Sequence, residues 1–215
     1  SDFFTPEKLD FYSNENKICD LDLKQFNDKT KKYTTLKRSS LIKFLKDKLF
    51  SNLIRFNKTI ESVQQNQDII KIKFKDGESD EVDYLVVSDG VFSQTKSIIE
   101  KKKFKLNYYG AAAVRTQINA KYVSEFKTDN VSLFMSSKAH LVSYPVNDSK
   151  DINVVCIIRK NLNEKKSIEQ LLGEKFFNKN KHLSNLFNGD LKSWSIYTSS
   201  KPVKSILKKV FYIGD

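Results

Sequence analysis

The stretch YLVVSDGVFSQTK, residues 84–96, joins a run of apolar residues to an Asp-Gly pair and a segment of helical character. Residues 84–87 are apolar without a break, which predicts a strand covered on both faces by other layers. Asp89 and Gly90 follow, and Ser93 is placed to cap a helix over residues 94–100. The question is why a buried strand should end on a carboxylate.

Two explanations of Asp89 and Gly90 are open. In open α/β sheets, ligands bind beyond the carboxyl ends of strands, where helix N-termini present free N–H groups. Gly90 would let the backbone approach a ligand closely, and Asp89 could accept hydrogen bonds from hydroxyl groups or order the loop. The pair is also common in ordinary turns, and Asp76-Gly77 in this chain is one such candidate.

Upstream, the pattern predicts a hairpin and a helix. Ile70, Ile72 and Phe74 alternate with lysines, and the Asp76-Gly77 turn returns the chain toward residues 84–87. The spacing of four apolar residues predicts an amphipathic helix: Leu41, Phe44, Leu45 and Leu49. Arg38 would lie in its first turn, and Thr34 or Thr35 would be its N-cap. A half-buried strand is predicted from the alternation of Cys19, Leu21 and Leu23.

Downstream, the pattern changes to strands with one inserted helical pair, at residues 167–187. The turn sequence NDSKD, 147–151, predicts a hairpin connection. This half therefore predicts an antiparallel sheet with helices, whose strands are 110–119, 130–136, 138–145, 152–159 and 192–199.

Composition limits the function classes. The formal net charge is +12, but of the 38 basic residues only Arg38, Arg55, Arg115 and Arg159 are arginine, so we expect a solvated lysine surface and no nucleic-acid partner. The two cysteines and two histidines, Cys19, Cys156, His140 and His182, have no ligand spacing, so no metal and no disulfide are predicted. No apolar run approaches the ~20 residues that span a bilayer.

Three segments resemble motifs of class A flavoprotein monooxygenases, the family of p-hydroxybenzoate hydroxylase and the ubiquinone-biosynthesis ring hydroxylases. SDGVFSQTK is similar to the family's D-G-x-x-S-x-V-R, with Thr95 and Lys96 in place of the usual valine and arginine. RSSLIKFL, from Arg38, resembles the R-x-x-L-x-x-x-L helix. VFYIGD, 210–215, resembles the strand before the G-D motif. The motifs follow the family's order, and the resemblance covers nearly the whole chain.

The resemblance implies part of an FAD-dependent aromatic-ring hydroxylase that uses NAD(P)H and oxygen. It implies that Arg38 contacts the cofactor, that Asp89 and Gly90 form the loop at the flavin and nicotinamide phosphates, and that Gly214 and Asp215 bind the ribityl hydroxyls. It singles out no catalytic residue. The implied substrate is a small aromatic ring, prenylated or not. The implied location is the cytoplasm, with peripheral attachment of the whole protein to the inner membrane left open.

The resemblance also implies a domain organisation. Residues 1–30 would supply strands of the substrate sheet, 31–100 a partial FAD-binding domain, 101–206 the substrate-domain sheet with its helices, and 207–215 the return strand. The predicted fold class is thus α+β with an α/β part: a partial FAD-binding α/β layer joined to a mainly antiparallel sheet. Four apolar residues of that sheet either line its substrate side or form its core, namely Leu133, Met135, Leu141 and Val142.

The family's G-x-G-x-x-G turn, which holds the FAD pyrophosphate, is not formed by any of the six glycines. The segment that follows the family's G-D motif is also missing. The only methionine is Met135, and the sequence stops in an apolar run. We therefore expect a fragment of a longer protein that is inactive and does not retain FAD alone.

Three alternatives stay open. The first is another FAD-dependent oxidoreductase on the same scaffold, a prenyl-lipid reductase or a halogenase. The second is a non-catalytic basic module that binds anions or nucleic acid, because its lysines could neutralise phosphates. The third is a remnant without function.

Overall fold

The structure is a computed structural model that describes residues 3–123, 129–187, 190–199 and 203–214. The chain divides into two compact units, the first formed by Ser1–Lys48 and Gly110–Ile196 and the second by Leu49–Tyr109 and Tyr197–Asp215. The described strands are β1 (Phe3–Phe4), β2 (Lys8–Ser13), β3 (Asn16–Asp22), β4 (Thr35–Leu36), β5 (Ile60–Asn66), β6 (Ile69–Phe74), β7 (Ser79–Val82), β8 (Leu85–Val87), β9 (Leu106–Asn119), β10 (Val131–Met135), β11 (Ala139–Val146), β12 (Asp151–Arg159), β13 (Lys192–Ser199) and β14 (Val210–Tyr212). The α-helices are α1 (Arg38–Asp47), α2 (Gln94–Glu100) and α3 (Ile168–Lys175).

A seven-stranded sheet dominates the first unit, in the order β13-β9-β12-β11-β10-β2-β3. The pairs β9–β12, β12–β11, β11–β10 and β2–β3 are antiparallel, and β10–β2 is parallel. Left-handed backbone at Asn147, Asp148 and Ser149 makes the tight reversal from β11 to β12. The prediction of a mainly antiparallel sheet with helices is confirmed, including all five downstream strands.

The sheet has a covered face and an open face. On the covered face, the cross-strand neighbours Val114, Cys156 and Leu141 are fully buried. This face is the core of the unit, and its strand residues are Ala112, Val114, Thr116, Ile118, Phe134, Ala139, Leu141, Ser143, Ile152, Val154, Cys156 and Ile158. Side chains from α3 and the following 3-10 helices complete the core, namely Leu171, Leu172, Phe176, Leu183, Leu186 and Phe187.

The open face carries the alternate residues of the same strands. It mixes apolar and polar side chains, most of them half-buried or exposed: Leu133, Met135, Arg115, Gln117, His140, Val142, Tyr144, Asp151, Asn153, Val155 and Ile157. Of the four apolar residues that the sequence left undecided, Leu141 belongs to the core. Leu133, Met135 and Val142 lie on the open face because cross-strand partners share a face.

The helical pair predicted at 167–187 is present, with a difference in type. Helix α3 begins after Ser167, whose hydroxyl accepts from the Gln170 N–H while the Gln170 side chain accepts from the Ser167 N–H. The second helical segment, Lys181–Phe187, is a 3-10 helix. Leu171 and Leu172 are buried, so α3 packs onto the covered face.

Helix α1 forms at Arg38 as predicted, but the predicted N-cap is wrong. The capping position is Lys37, which makes no side-chain cap. Thr35 instead lies in β4, and its hydroxyl donates to the Pro145 carbonyl oxygen, so it serves tertiary packing. No residue of α1 is buried in the described part of the chain.

The strand predicted from Cys19, Leu21 and Leu23 is present as β3, but Leu23 lies just after it and the predicted burial is wrong for Cys19. β3 is the last strand of the sheet, and Cys19 is exposed. Only Leu23, in the 3-10 helix that follows, is buried, because no described layer covers the edge strand.

The second unit contains the three-stranded antiparallel sheet β5-β6-β7 and the two-stranded parallel sheet β14-β8. The β6–β7 hairpin and its Asp76-Gly77 turn are confirmed, with Gly77 at φ +91°. The hydrophobic core of the second unit consists of Ile70, Ile72, Phe74, Val87, Ile99 and Val210.

The returning strand differs from the prediction. The chain leaves the hairpin at Val82, and β8 is a separate strand that pairs with β14. The prediction that residues 84–87 are buried on both faces is wrong, because Tyr84 is 63% exposed and Val86 is 54% exposed. Val87 points to the opposite side, into the core.

Candidate cofactor site

Parallel pairing of β8 and β14 places two predicted motifs at the same sheet edge. Leu85 is opposite Val210 and Val87 is opposite Tyr212, and the Ile213 N–H donates to the Val87 carbonyl oxygen at 3.0 Å. Since the carboxyl ends of parallel strands lie side by side, the loop after each strand begins at this edge.

These loops line a cavity of about 140 Å³. Its walls include Asp89, Gly90 and Gly214, three of the five predicted cofactor residues. Ser93, Lys96 and Tyr212 also line the cavity. Of these three residues, the sequence analysis had given a role only to Ser93, as a helix cap. All of the lining residues belong to the second unit.

The two glycines leave room for a ligand. Gly90 and Gly214 adopt φ values of +78° and +82°, which side-chain-bearing residues rarely adopt. A Cβ built on either glycine would meet no heavy atom within 4 Å. The backbone at both positions therefore faces open space, as it must where a bound group approaches closely.

Asp89 orders the loop before α2. Its Oδ2 accepts a hydrogen bond from the Thr95 N–H at 3.3 Å, and the Ser93 hydroxyl oxygen accepts from the Lys96 N–H at 2.9 Å. Two N–H groups of the first helical turn are thus bonded to side chains, contrary to the expectation that this turn presents free N–H groups. The other Asp89 carboxylate oxygen has no donor among the described residues and can accept one from a ligand hydroxyl.

Lys96 supplies a positive charge at the cavity. Its Nζ lies 4.8 Å from the centre of the Phe104 ring and 5.6 Å from that of Tyr212. Within the described residues, no carboxylate lies at ion-pair distance from Lys96. Because aromatic rings rather than an acid hold this ammonium group, its charge is available to an anion.

Tyr212 lines the cavity, and Glu100 holds its hydroxyl group in place. Its hydroxyl donates to Glu100 Oε1 at 2.6 Å, and the Ile206 N–H donates to the same oxygen at 3.2 Å. Burial and then the bond to Glu100 raise the pKa of Tyr212 to about 12. Tyr212 is therefore a neutral donor near pH 7.

The other two predicted cofactor residues are not among the lining residues of this cavity. Arg38 is the exposed first residue of α1, in the first unit. Asp215 lies outside the described residues. Lys96 and Tyr212 were missed as site residues, although the motif comparison had already marked Lys96 as the substitute for the family's arginine.

A larger cavity, of about 600 Å³, opens on the first unit between β2, β10 and α3. Its lining includes Ser136, Lys138 and Lys175. The Lys175 Nζ lies 2.9 Å from the Glu164 Oε2, so its charge is neutralised. Among the lining residues of this larger cavity, the sequence analysis had named only Met135. The candidate cofactor site is therefore the smaller cavity, which residues of two of the three motifs line.

Neither metal-binding nor membrane-spanning features occur in the described residues. No three of their His, Cys, Asp and Glu side chains are grouped so as to hold a metal ion. No helix there is both long enough and apolar enough to cross a bilayer.

The fold that surrounds this cavity is that of the class A FAD monooxygenases. Klebsiella pneumoniae HpxO, solved with FAD and uric acid, superposes with a TM-score of 0.81 over 99% of this chain and 57% of its own, at 14% identity. A salicylate hydroxylase substrate complex gives a TM-score of 0.78 over 100% of this chain and 59% of its own, at 14% identity. The chain thus spans little more than half the length of these structures.

In sequence, a flavin-dependent monooxygenase of Legionella longbeachae serogroup 1 (strain NSW150) is 31% identical over 75 residues. The match covers 34% of this chain and 19% of that protein. No family model matches the sequence.

The residues at the small cavity fit part of an FAD molecule. A free carboxylate oxygen suits a sugar-like hydroxyl, the Lys96 ammonium suits a phosphate, and two glycines without close neighbours leave space for both. Because a whole FAD is much larger than about 140 Å³, the cavity fits only its polar middle part.

Proposed function

We propose that this chain forms part of an FAD-dependent monooxygenase that hydroxylates a small aromatic substrate with NAD(P)H and oxygen. The observation that carries the proposal is that Asp89, Gly90 and Gly214 line one cavity. The class A monooxygenase fold and the 75-residue match to a flavin-dependent monooxygenase support it. HpxO with uric acid and salicylate hydroxylase with its substrate also support an aromatic substrate.

In this proposal, each residue has a defined task. Asp89 accepts a hydrogen bond from a cofactor hydroxyl through its free oxygen, while its other oxygen holds the loop on Thr95. Lys96 neutralises a cofactor phosphate, and Gly90 and Gly214 let the backbone come close. Asp215 would bind ribityl hydroxyls and Arg38 would contact the cofactor. Bound FAD would supply the redox chemistry, taking hydride from NAD(P)H and delivering one oxygen atom from O2.

We propose further that segments of a longer protein complete the cofactor site. The chain covers 57–59% of the two solved structures, and it contains no G-x-G-x-x-G turn. In that organisation, residues 31–100 and 207–215 belong to the FAD-binding domain, and 1–30 and 101–206 belong to the substrate domain.

The narrower form of the proposal is hydroxylation of a ubiquinone precursor by a cytoplasmic enzyme that attaches peripherally to the inner membrane. It rests on the motif resemblance alone. Hydroxylation of a prenylated ring by the whole protein in the presence of vesicles, but not of the same ring without its prenyl chain, would support this form.

The experiment compares FAD binding by matched variants of the whole protein. Gly90→Ala and Gly77→Ala both place a side chain on a left-handed glycine of an Asp-Gly pair with empty space around it. Both should therefore cost about 1 kcal/mol of stability, but only Gly90→Ala should weaken FAD binding, measured by quenching of flavin fluorescence. Asp89→Ala should do so too, whereas Asp76→Ala should not.

Activity is measured as NAD(P)H and oxygen consumption with a panel of phenols and hydroxybenzoates. Stoichiometric uptake of both, with a hydroxylated product, is the expected result. NAD(P)H use without oxygen would indicate a reductase on the same fold. Failure of the whole protein to bind FAD would overturn the proposal.

A further inference from the structure

The larger cavity of the first unit lies between three segments that hydrogen bonds hold together: the β2–β3 turn, the β10–β11 turn and the end of α3. The Asn14 N–H donates to the Met135 carbonyl oxygen at 3.2 Å, which joins the first two segments. The Arg159 N–H donates to the Lys138 carbonyl oxygen at 2.9 Å, and the Lys175 Nζ donates to the Arg159 carbonyl oxygen at 2.9 Å. The cavity is therefore formed in advance, and its volume of about 600 Å³ is usual for a small-molecule site.

Lys138 gives this cavity a positive charge. Two other charged residues line it, but each has a partner: Lys175 is paired with Glu164, and the Glu174 Oε2 lies 2.5 Å from the Lys166 Nζ. Lys138 is exposed, and no carboxylate of the described residues lies at ion-pair distance from its ammonium group. The charge of Lys138 therefore sets the sign of the ligand that the cavity attracts, which is negative.

Serine hydroxyl groups line the same cavity. The Ser136 hydroxyl is occupied, because it donates to the Ala139 carbonyl oxygen at 2.9 Å and accepts from the Ala139 N–H at 3.2 Å. Ser13 and Ser137 are exposed, and their hydroxyl groups form no hydrogen bond with another described residue. Hydroxyl and ammonium donors at one cavity suit the oxygen atoms of a phosphate group.

The cavity also contains an unpaired acceptor. Asn14 lines it, and the Asn14 Oδ1 is buried without a hydrogen-bond donor in the described part of the chain. The left-handed backbone of Asn14, at φ +52°, is ordinary for a two-residue hairpin turn, so the turn does not account for the unpaired oxygen. A buried polar atom without a partner costs free energy, which a ligand hydroxyl group would recover. Donors for a phosphate and an acceptor for a hydroxyl group thus line one cavity.

From this arrangement we propose that the larger cavity binds a phosphorylated sugar. Lys138, Ser137 and Ser13 bond the phosphate oxygens, and the Asn14 Oδ1 accepts a hydrogen bond from a sugar hydroxyl group. None of these residues lines the smaller cavity, so the site does not depend on the proposed function. It gives the chain a ligand in addition to those of the proposed function.

The test measures binding of matched phosphorylated and free sugars to the whole protein by titration calorimetry. The pairs are glucose 6-phosphate with glucose and ribose 5-phosphate with ribose, and inorganic phosphate is the third probe. We expect at least one sugar phosphate to bind about tenfold or more tightly than its free sugar, because only the phosphate forms charge-assisted hydrogen bonds. The same sugar phosphate should bind more tightly than inorganic phosphate, which has no sugar hydroxyl group for Asn14.

Variants locate the site. Lys138→Gln should remove the preference for the sugar phosphate, and Lys138→Arg should keep most of it. Lys150→Gln is the matched control, because Lys150 is also an exposed lysine directly before a strand but lies at the other end of β11. It should leave the preference unchanged. Asn14→Ala should weaken binding of the sugar phosphate and leave binding of inorganic phosphate unchanged.

A second measurement needs no variant and decides the question should Lys138→Gln fail to fold. Saturating sugar phosphate should slow modification of Lys138 by an amine reagent several-fold and leave that of Lys150 unchanged, as read by mass spectrometry. Equal protection of both lysines would overturn the proposal. It is also overturned if neither sugar phosphate binds better than its sugar, if inorganic phosphate binds as tightly as both, or if Lys138→Gln and Lys150→Gln weaken binding equally.

Discussion

The two faces of the seven-stranded sheet come from alternate residues of the same strands, yet they differ in what restrains them. On the covered face, Val114, Leu141 and Cys156 have no exposed surface. On the open face, the adjacent positions Arg115 and His140 are exposed, and Val155 is half-buried. Packing therefore explains the residues of the first face. It does not explain the mixed apolar and polar composition of the second face.

The largest expected effect is loss of stability on the covered face. Leu141→Ala should lower the free energy of unfolding by about 2–5 kcal/mol, because it removes a fully buried side chain and leaves a cavity. Leu133→Ala on the open face should cost only about 1 kcal/mol, since its side chain is half-buried. Denaturant unfolding measures both, and equal losses would contradict the division into two faces.

The two cysteines offer a smaller test with one residue type. Cys156→Ser should cost about 1–3 kcal/mol, because it places a hydroxyl in an apolar core, whereas Cys19→Ser should change stability by less than about 0.5 kcal/mol. Burial also raises the pKa of the Cys156 thiol to about 12. A thiol reagent at pH 8 should therefore modify Cys19 and reach Cys156 only on unfolding. Rapid labelling of both would show that the core is open.

The helix that covers the sheet depends on its cap. Ser167→Ala should lower stability by about 1 kcal/mol, because it removes one half of the capping box of α3. Ser39→Ala, in the first turn of α1, is the control, since α1 has no side-chain cap to lose. Thermal unfolding compares the two. A cost for Ser39→Ala as large as that for Ser167→Ala would mean that capping is not the cause.

The smallest effect is expected at the neutralised acid of the open face. Asp151→Asn should cost less than about 1 kcal/mol at pH 7, because the Lys37–Asp151 pair is partly exposed. The pKa of Asp151 is lower in the folded than in the unfolded chain. Its contribution is therefore fully present above the unfolded pKa of about 3.9 and is lost as the pH falls through the folded value. Unfolding curves at pH 7 and about pH 2 should show the difference between variant and wild type shrinking. A difference that grows in acid would contradict this.

Short-range signals were reliable where the structure depends on neighbours in sequence. The helix at 94–100 with Ser93 as its cap, the Asp76-Gly77 hairpin and the five downstream strands are all present. Failures occurred where a distant segment intervened. Thr35 was expected to cap α1 but bonds the Pro145 carbonyl instead. Residues 84–87 were expected to form the returning strand of the hairpin, but residues 85–87 pair with β14.

The candidate site divides in the same way. Asp89, Gly90 and Gly214 were predicted, and a single cavity brings them together. Lys96 and Tyr212 were missed as site residues, because their positions depend on how α2 and β14 pack around the cavity.

The sequence by itself determined the periodicities, the hairpin turns and the Ser93 cap, because these follow from steric and hydrogen-bonding preferences within a few residues. Only the tertiary structure decided which face of each alternating strand would be covered and which loops would share an edge. A period of two creates two faces but does not say where the next layer packs. That choice is made by α3 on the covered face and by the pairing of β8 with β14, some 120 residues apart along the chain.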